Sequence, residues 1–112
     1  MSYPEKWLQS LKDRSDIVAV VKKYPGLKLK AIKREGKVLE YRALCPFHQE
    51  KTPSFFVVHN KQFFHCFGCG AHGGVFTFIT RYEGLTHVAA IRKVARMYGM
   101  RLPYKQKEKL KA

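Results

Sequence analysis

The sequence predicts an α+β fold, a small antiparallel β-sheet flanked by short helices at both ends. Three observations carry this expectation. Apolar residues recur at helical spacing near both ends of the chain, they alternate with period two in the middle, and cysteines at ligand spacing lie within the alternating part.

The N-terminal stretch reads as two short helices. Ser2-Tyr3-Pro4-Glu5 has the order of a capping box, and proline is tolerated in a first helical turn. Trp7, Leu8 and Leu11 then make one apolar stripe. Asp13 to Asp16 breaks it and supplies a second cap. Ile17, Val20, Val21 and Tyr24 form a second helical face, which Pro25-Gly26 ends.

Residues 27 to 67 read as β. Leu27-Lys28-Leu29-Lys30 alternates as a first strand, and Val38 to Leu44 follows after a turn at Glu35-Gly36. Ser54 to Val58 and Gln62 to Cys66 form the next pair, joined through His59-Asn60-Lys61. Two more helices follow. Gly73-Gly74 precedes Val75, Phe76, Phe78, Ile79 and Tyr82, and Gly84 separates this helix from the next. Thr86 caps the last helix, which carries Val88, Ile91, Val94, Ala95 and Tyr98, with Gly99 as C-cap. Residues 1–103 therefore form one domain. Residues 104–112, basic and with little to bury, read as a linker stub.

Charge narrows the function classes. The chain has 22 Lys+Arg against 8 Asp+Glu, a formal +14. A balance this basic favours a polyanionic partner. Aromatics at 13% and hydrophobics at 46% are too many for a disordered basic tail. At 112 residues the chain is too small for most polymerase or kinase domains. No apolar run approaches the ~20 residues of a membrane span, and the N-terminus lacks a secretory profile. A cytoplasmic location without membrane contact is the expectation. Three cysteines agree with it, because they cannot all close into disulfides.

Cys45-Pro46-Phe47-His48 is a Cys-x2-His pair, and Cys66-Phe67-Gly68-Cys69 is a Cys-x2-Cys pair. The 17 residues between His48 and Cys66 suffice for one β-hairpin. Each pair suits a tight knuckle in which backbone N–H groups point at sulfur. Two facing knuckles give three sulfurs and one nitrogen in tetrahedral array, which selects zinc. His48 completes the symmetrical pair best. His65, beside Cys66, and His72, three residues after Cys69, are the alternatives. With Cys45, His48, Cys66 and Cys69 all bound, no position is left for a catalytic water, so one structural Zn2+ is expected. A redox role for Cys66 and Cys69 lacks the βαβ context it needs.

The interval 22 to 42 carries eight cations and only Glu35 and Glu40 as acids. Lys51 and Lys61 then bracket Phe55 and Phe56, and Phe63, Phe64 and Phe67 follow. Cations interleaved with rings on a sheet suit single-stranded nucleic acid, phosphates on the cations and unpaired bases on the rings. Adjacent phenylalanines in a strand face opposite sides, so at least half of these five rings are expected in the core, packed on the two C-terminal helices. Lys30, Arg34, Lys51, Lys61 and Phe63 are the candidate DNA contacts. No helix is arranged to present polar side chains to a major groove.

The run Cys45 to Phe55 (CPFHQEKTPSF), followed by Lys61 to Gly73 (KQFFHCFGCGAHG), resembles the N-terminal zinc-binding domain of bacterial DnaG-type DNA primases. Arg14 to Val18, Tyr82 to Leu85 and the helix to Met97 extend the likeness over about residues 3 to 103. The resemblance implies a zinc ribbon on the small antiparallel sheet, flanked by helices, in which Cys45, His48, Cys66 and Cys69 bind one zinc. It implies a domain that engages single-stranded template and helps choose the start site of an RNA primer, within the primosome. The chain itself would be non-catalytic. Polymerisation would belong to a separate nucleotidyltransferase domain, acting in cis or in trans, and the replicative helicase would meet other regions of the parent protein. The segment from Pro25 to Cys45 is longer than the family pattern, which implies a longer hairpin. Val58-His59-Asn60 replaces the usual Ser-Pro turn. A stand-alone zinc ribbon of a plasmid or phage replication system, and a protein-interaction ribbon, are the alternative readings.

Overall fold

Period-two alternation in the middle of the chain folds into an antiparallel meander. The computed structural model describes residues 3–47 and 52–103. Strands β1 (Lys30–Arg34), β2 (Lys37–Ala43), β3 (Phe55–Val58), β4 (Phe63–Cys66) and β5 (His72–Gly73) pair in chain order, each antiparallel to the next. Helices α1 (Glu5–Arg14) and α2 (Ile17–Val21) precede the sheet, and α3 (Val75–Glu83) and α4 (His87–Met97) follow it. This is the predicted α+β arrangement. Among the described residues no helix is long and apolar enough to cross a membrane.

The local signals for most helix ends hold. The Asp16 carboxylate accepts from the Val18 N–H at 3.1 Å, and the Thr86 hydroxyl from the Ala89 N–H at 3.1 Å. Gly84 ends α3 in the left-handed region, at φ 70°. The start of α1 differs from expectation. Pro4 is its N-cap and makes no side-chain cap bond, while Ser2 lies outside the described residues.

The first strand also begins later than predicted. Leu27 donates its N–H to the Tyr24 carbonyl at 2.9 Å, closing a turn after α2, and its side chain is buried. Alternation at 27–30 therefore reflects a buried turn leading into β1. A bulge between Ile32 and Lys33 shifts the register so that Lys33 pairs with Val38. The two-residue β5 adds a fifth strand that the sequence pattern does not predict. There Gly73 has φ 148°, and a Cβ on it would lie 2.6 Å from the Thr77 side chain, so α3 can start directly off the sheet only at a glycine.

One face of the sheet forms the core. Ala43, Phe55, Val57, Phe64 and Cys66 are buried on it, packed with Ile17, Val20 and Val21 of α2 and with Phe78 and Ile79 of α3. Phe78 sits at the centre. Its ring lies 5.6 Å from Tyr24, 5.9 Å from Phe47 and 5.8 Å from Phe64, each edge-on. Only two of the five strand-region phenylalanines, Phe55 and Phe64, belong to this core, fewer than the half expected, because Phe67 leaves the strand for the exposed knuckle. Phe56 and Phe63 alternate to the other face, and Phe67 is exposed.

A polar clasp joins the helices. Glu83 accepts from the Tyr24 hydroxyl and from the Lys93 ammonium, both at 2.5 Å. These bonds hold its carboxyl below the usual carboxylate range. A depressed folded value means that the stability it supplies is present above its unfolded pKa, ~4.3, and is lost as pH falls through the folded value.

Two measurements check this packing. Phe78→Ala is expected to cost about 3–5 kcal/mol in denaturant unfolding of the metal-loaded protein, and Phe56→Ala about 0.5 kcal/mol. Equal losses would contradict the two-faced sheet. In urea titrations at a series of pH values, the advantage of wild type over Glu83→Gln should shrink as pH drops below ~4. A difference independent of pH would show that the clasp does not depend on ionised Glu83.

Candidate metal centre and open sheet face

Cys45 follows β2, Cys66 ends β4, and Cys69 lies in the turn before β5. The sheet brings their three sulfurs within 4.8 Å of one another, with Cys45 and Cys69 3.9 Å apart. Both knuckles aim backbone N–H groups at sulfur as expected. Phe47 donates to Cys45 Sγ at 3.3 Å, and Gly68 to Cys66 Sγ at 3.3 Å. Gly70, at φ 82°, donates its N–H to the Cys66 carbonyl at 2.8 Å and closes the second knuckle. The Ser54 hydroxyl lies 3.6 Å from Cys66 Sγ.

Electrostatics divide the sulfurs. Burial pushes the Cys45 thiol up to about 12, and the neighbouring sulfurs add to the shift. Burial also acts against ionisation of Cys66, but the Ser54 hydroxyl and the N–H groups of Cys69 and Gly68 outweigh it and lower that pKa. A divalent cation among the sulfurs reverses this logic, because a coordinated thiol is deprotonated outright. Soft sulfur donors in this number fit zinc. His48, the fourth residue of the predicted set, lies outside the described residues. Neither alternative histidine joins the sulfur group among the described residues. His65 alternates to the other face of the sheet from Cys66, and His72 places Nδ1 3.0 Å from the Gly70 carbonyl.

The face of the sheet opposite the core carries a second pattern. Lys30 pairs with Arg42, Arg42 with Phe56, Phe56 with His65, and His65 with His72. Residues directly opposite in antiparallel strands share a face. These five therefore form one row across all five strands, two cations at one end and three rings after them. Phe67, 72% exposed, lies edge-on to Phe56 at 5.4 Å and 4.5 Å from His65.

The candidate DNA contacts divide accordingly. Lys30 begins the row. Arg34 is exposed at the end of β1, and Phe63 is half-buried on the same face as His65. Lys61 lies apart, in the turn after β3, where it lines a cleft of about 480 Å³ with Leu8 and Lys12 of α1 and Phe76 of α3. Lys51 lies outside the described residues. Arg42, Phe56, His65 and His72 were not among the candidates. Alternation could have placed the first three on one face, but only the strand register aligns them.

The chain matches the CHC2 zinc finger family over residues 3–110. It belongs to that family. The DNA primase of Haemophilus influenzae is 44% identical over 106 residues, covering 95% of this chain and 17% of that protein. The DNA primase of Escherichia coli K12 is 41% identical over 101 residues, covering 90% of this chain and 16% of that protein. The crystal structure of the zinc binding and RNA polymerase domains of Aquifex aeolicus primase superposes with a TM-score of 0.78 at 35% identity, over 98% of this chain and 26% of that one. This CHC2 zinc finger thus spans about a sixth of the length of these curated relatives. The likeness read from the two knuckle motifs is borne out, and the α+β fold with it.

The Ser54 contact gives a test of the metal centre. Ser54→Ala should weaken zinc binding about tenfold in a chelator competition, the size expected for losing a partner of a ligating atom. An unchanged affinity would show that the hydroxyl does not tune Cys66.

Proposed function

We propose that this chain is the zinc-binding, template-recognition domain of a DNA primase. It holds one structural zinc through Cys45, His48, Cys66 and Cys69, binds single-stranded DNA on the open sheet face, and helps select where RNA primer synthesis starts. The single observation that carries the DNA-binding reading is the row Lys30–Arg42–Phe56–His65–His72. Rings spaced by successive strands offer stacking surfaces to unpaired bases, at ~1–3 kcal/mol per base, and the cations beside them take phosphates. The net charge of +14 supplies the long-range attraction. The names of the relatives supply the primase context.

The zinc holds the sheet in shape when bound. The chain's own residues bind and orient the template. Eight acids are scattered along the sequence, and no two form an Asp-x-Asp pair that would hold magnesium beside nucleotide phosphates. Primer synthesis is therefore assigned to a polymerase domain of the parent protein, served in cis or in trans, and contact with the replicative helicase to its other regions. The cytoplasm is the compartment where such a protein works.

Binding to single-stranded oligonucleotides tests this reading. With about five phosphates contacted, log K should fall against log salt with a slope near roughly −3.5. Phe56→Ala and Arg42→Ala should each weaken binding at unchanged zinc content, and only Arg42→Ala should make the salt slope shallower, by about 0.7. Affinity independent of salt, or a preference for duplex, would contradict the proposal.

A further inference from the structure

The end of the row away from the cations holds a pair of imidazoles. His65 and His72 are direct partners across β4 and β5 and so stand side by side on the open face. Their ring centroids are 6.0 Å apart, with planes inclined by 26°. We propose that His65 and His72 form a second, exchangeable transition-metal site, which takes a divalent ion such as Ni2+, Cu2+ or Zn2+ through two ring nitrogens and completes its coordination with water.

Three features support the assignment. The first is distance. A ring nitrogen binding a metal at ~2.0–2.1 Å puts the ion ~3 Å from the ring centroid, so two neighbouring rings chelating one ion at ~90–110° have centroids ~4.5–5 Å apart. The observed pair, at 6.0 Å, closes on an ion when the two side chains rotate toward each other by ~1 Å. The second is tautomer. A carbonyl oxygen only accepts, so the 3.0 Å contact to Gly70 puts the proton of His72 on Nδ1 and leaves the Nε2 lone pair available. A backbone carbonyl orienting the non-ligating nitrogen is the usual support for a metal-binding histidine. The third is independence. His65 lies on the opposite face of β4 from Cys66, and neither histidine belongs to the sulfur group, so an ion here need share no ligand with the cysteines.

Imidazole donors suit zinc, copper and nickel and bind calcium or magnesium poorly. Two protein ligands and an exposed His72 make a site that loads and releases its ion readily. Arg42, two strands from His65, is ~10 Å away and largely screened at physiological salt.

Nickel titration of the zinc-loaded chain tests the site, with calorimetry for binding and elemental analysis for zinc. One Ni2+ should bind while the resident zinc stays. His65→Ala and His72→Ala should each weaken that binding about tenfold or more, and His59→Ala and His87→Ala should leave it unchanged. Failure to bind Ni2+ beyond the zinc content, or equal binding by both row variants and wild type, would overturn the proposal. So would zinc release matching nickel uptake. Loss of zinc from His72→Ala would assign that residue to the sulfur centre and overturn it too, and His65→Ala provides the separate check.

Discussion

Three ionised sulfurs within 4.8 Å of one another repel unless a cation sits among them. Most of the sheet depends on how that constraint is met. Cys45 pins the end of β2, Cys66 the end of β4, and Cys69 the turn into β5. A metal drawing them together would fix the spacing of the central strands. A chain of 112 residues buries only ~60–70% of its unfolded surface, so such a staple matters more here than in a larger domain. The knuckles prepare the sulfurs with backbone N–H groups at 3.3 Å. Burial without metal keeps the Cys45 thiol protonated, its pKa pushed up to about 12.

The pinned strands divide their side chains by alternation alone. Phe55, Val57, Phe64 and Cys66 go inward to meet Phe78, while Phe56, Phe63 and His65 go outward. A slip of one residue between β3 and β4 would exchange the two sets. The register that buries the core is therefore the register that assembles the outward row. The helices contribute to the first set and leave the second open. The Asp16 carboxylate, which caps α2, also accepts from the Gln62 amide at 3.3 Å and so ties α2 to the β3–β4 turn.

What was legible in the sequence was local. The two Cys-x2 motifs, the caps at Asp16 and Thr86 and the stops at Gly84 and Gly99 all act within one turn of chain. Three of the four cysteine-and-histidine positions are found together, and His48 falls outside the described residues. What was not legible needed distant contacts. Leu27 to Lys30 alternates like a strand, and only the turn onto Tyr24 and the burial of Leu27 show otherwise. β5 has two residues, too few for any periodicity. The place of Lys61, which flanks the motif in sequence, is set by the β3–β4 turn, which carries it to the cleft beside α1. The row itself emerges only from four successive strand registers.

If metal at the three sulfurs sets the geometry of the outward face, packing and DNA binding must depend on it together. The most direct test removes the ion and follows both properties in one titration with chelator, near-UV circular dichroism for packing and oligonucleotide anisotropy for binding. The two signals should fall together with zinc content and return together when zinc is re-added, while helical far-UV signal partly persists. A zinc-free chain that binds single-stranded DNA with undiminished affinity and an unchanged salt slope would contradict that dependence.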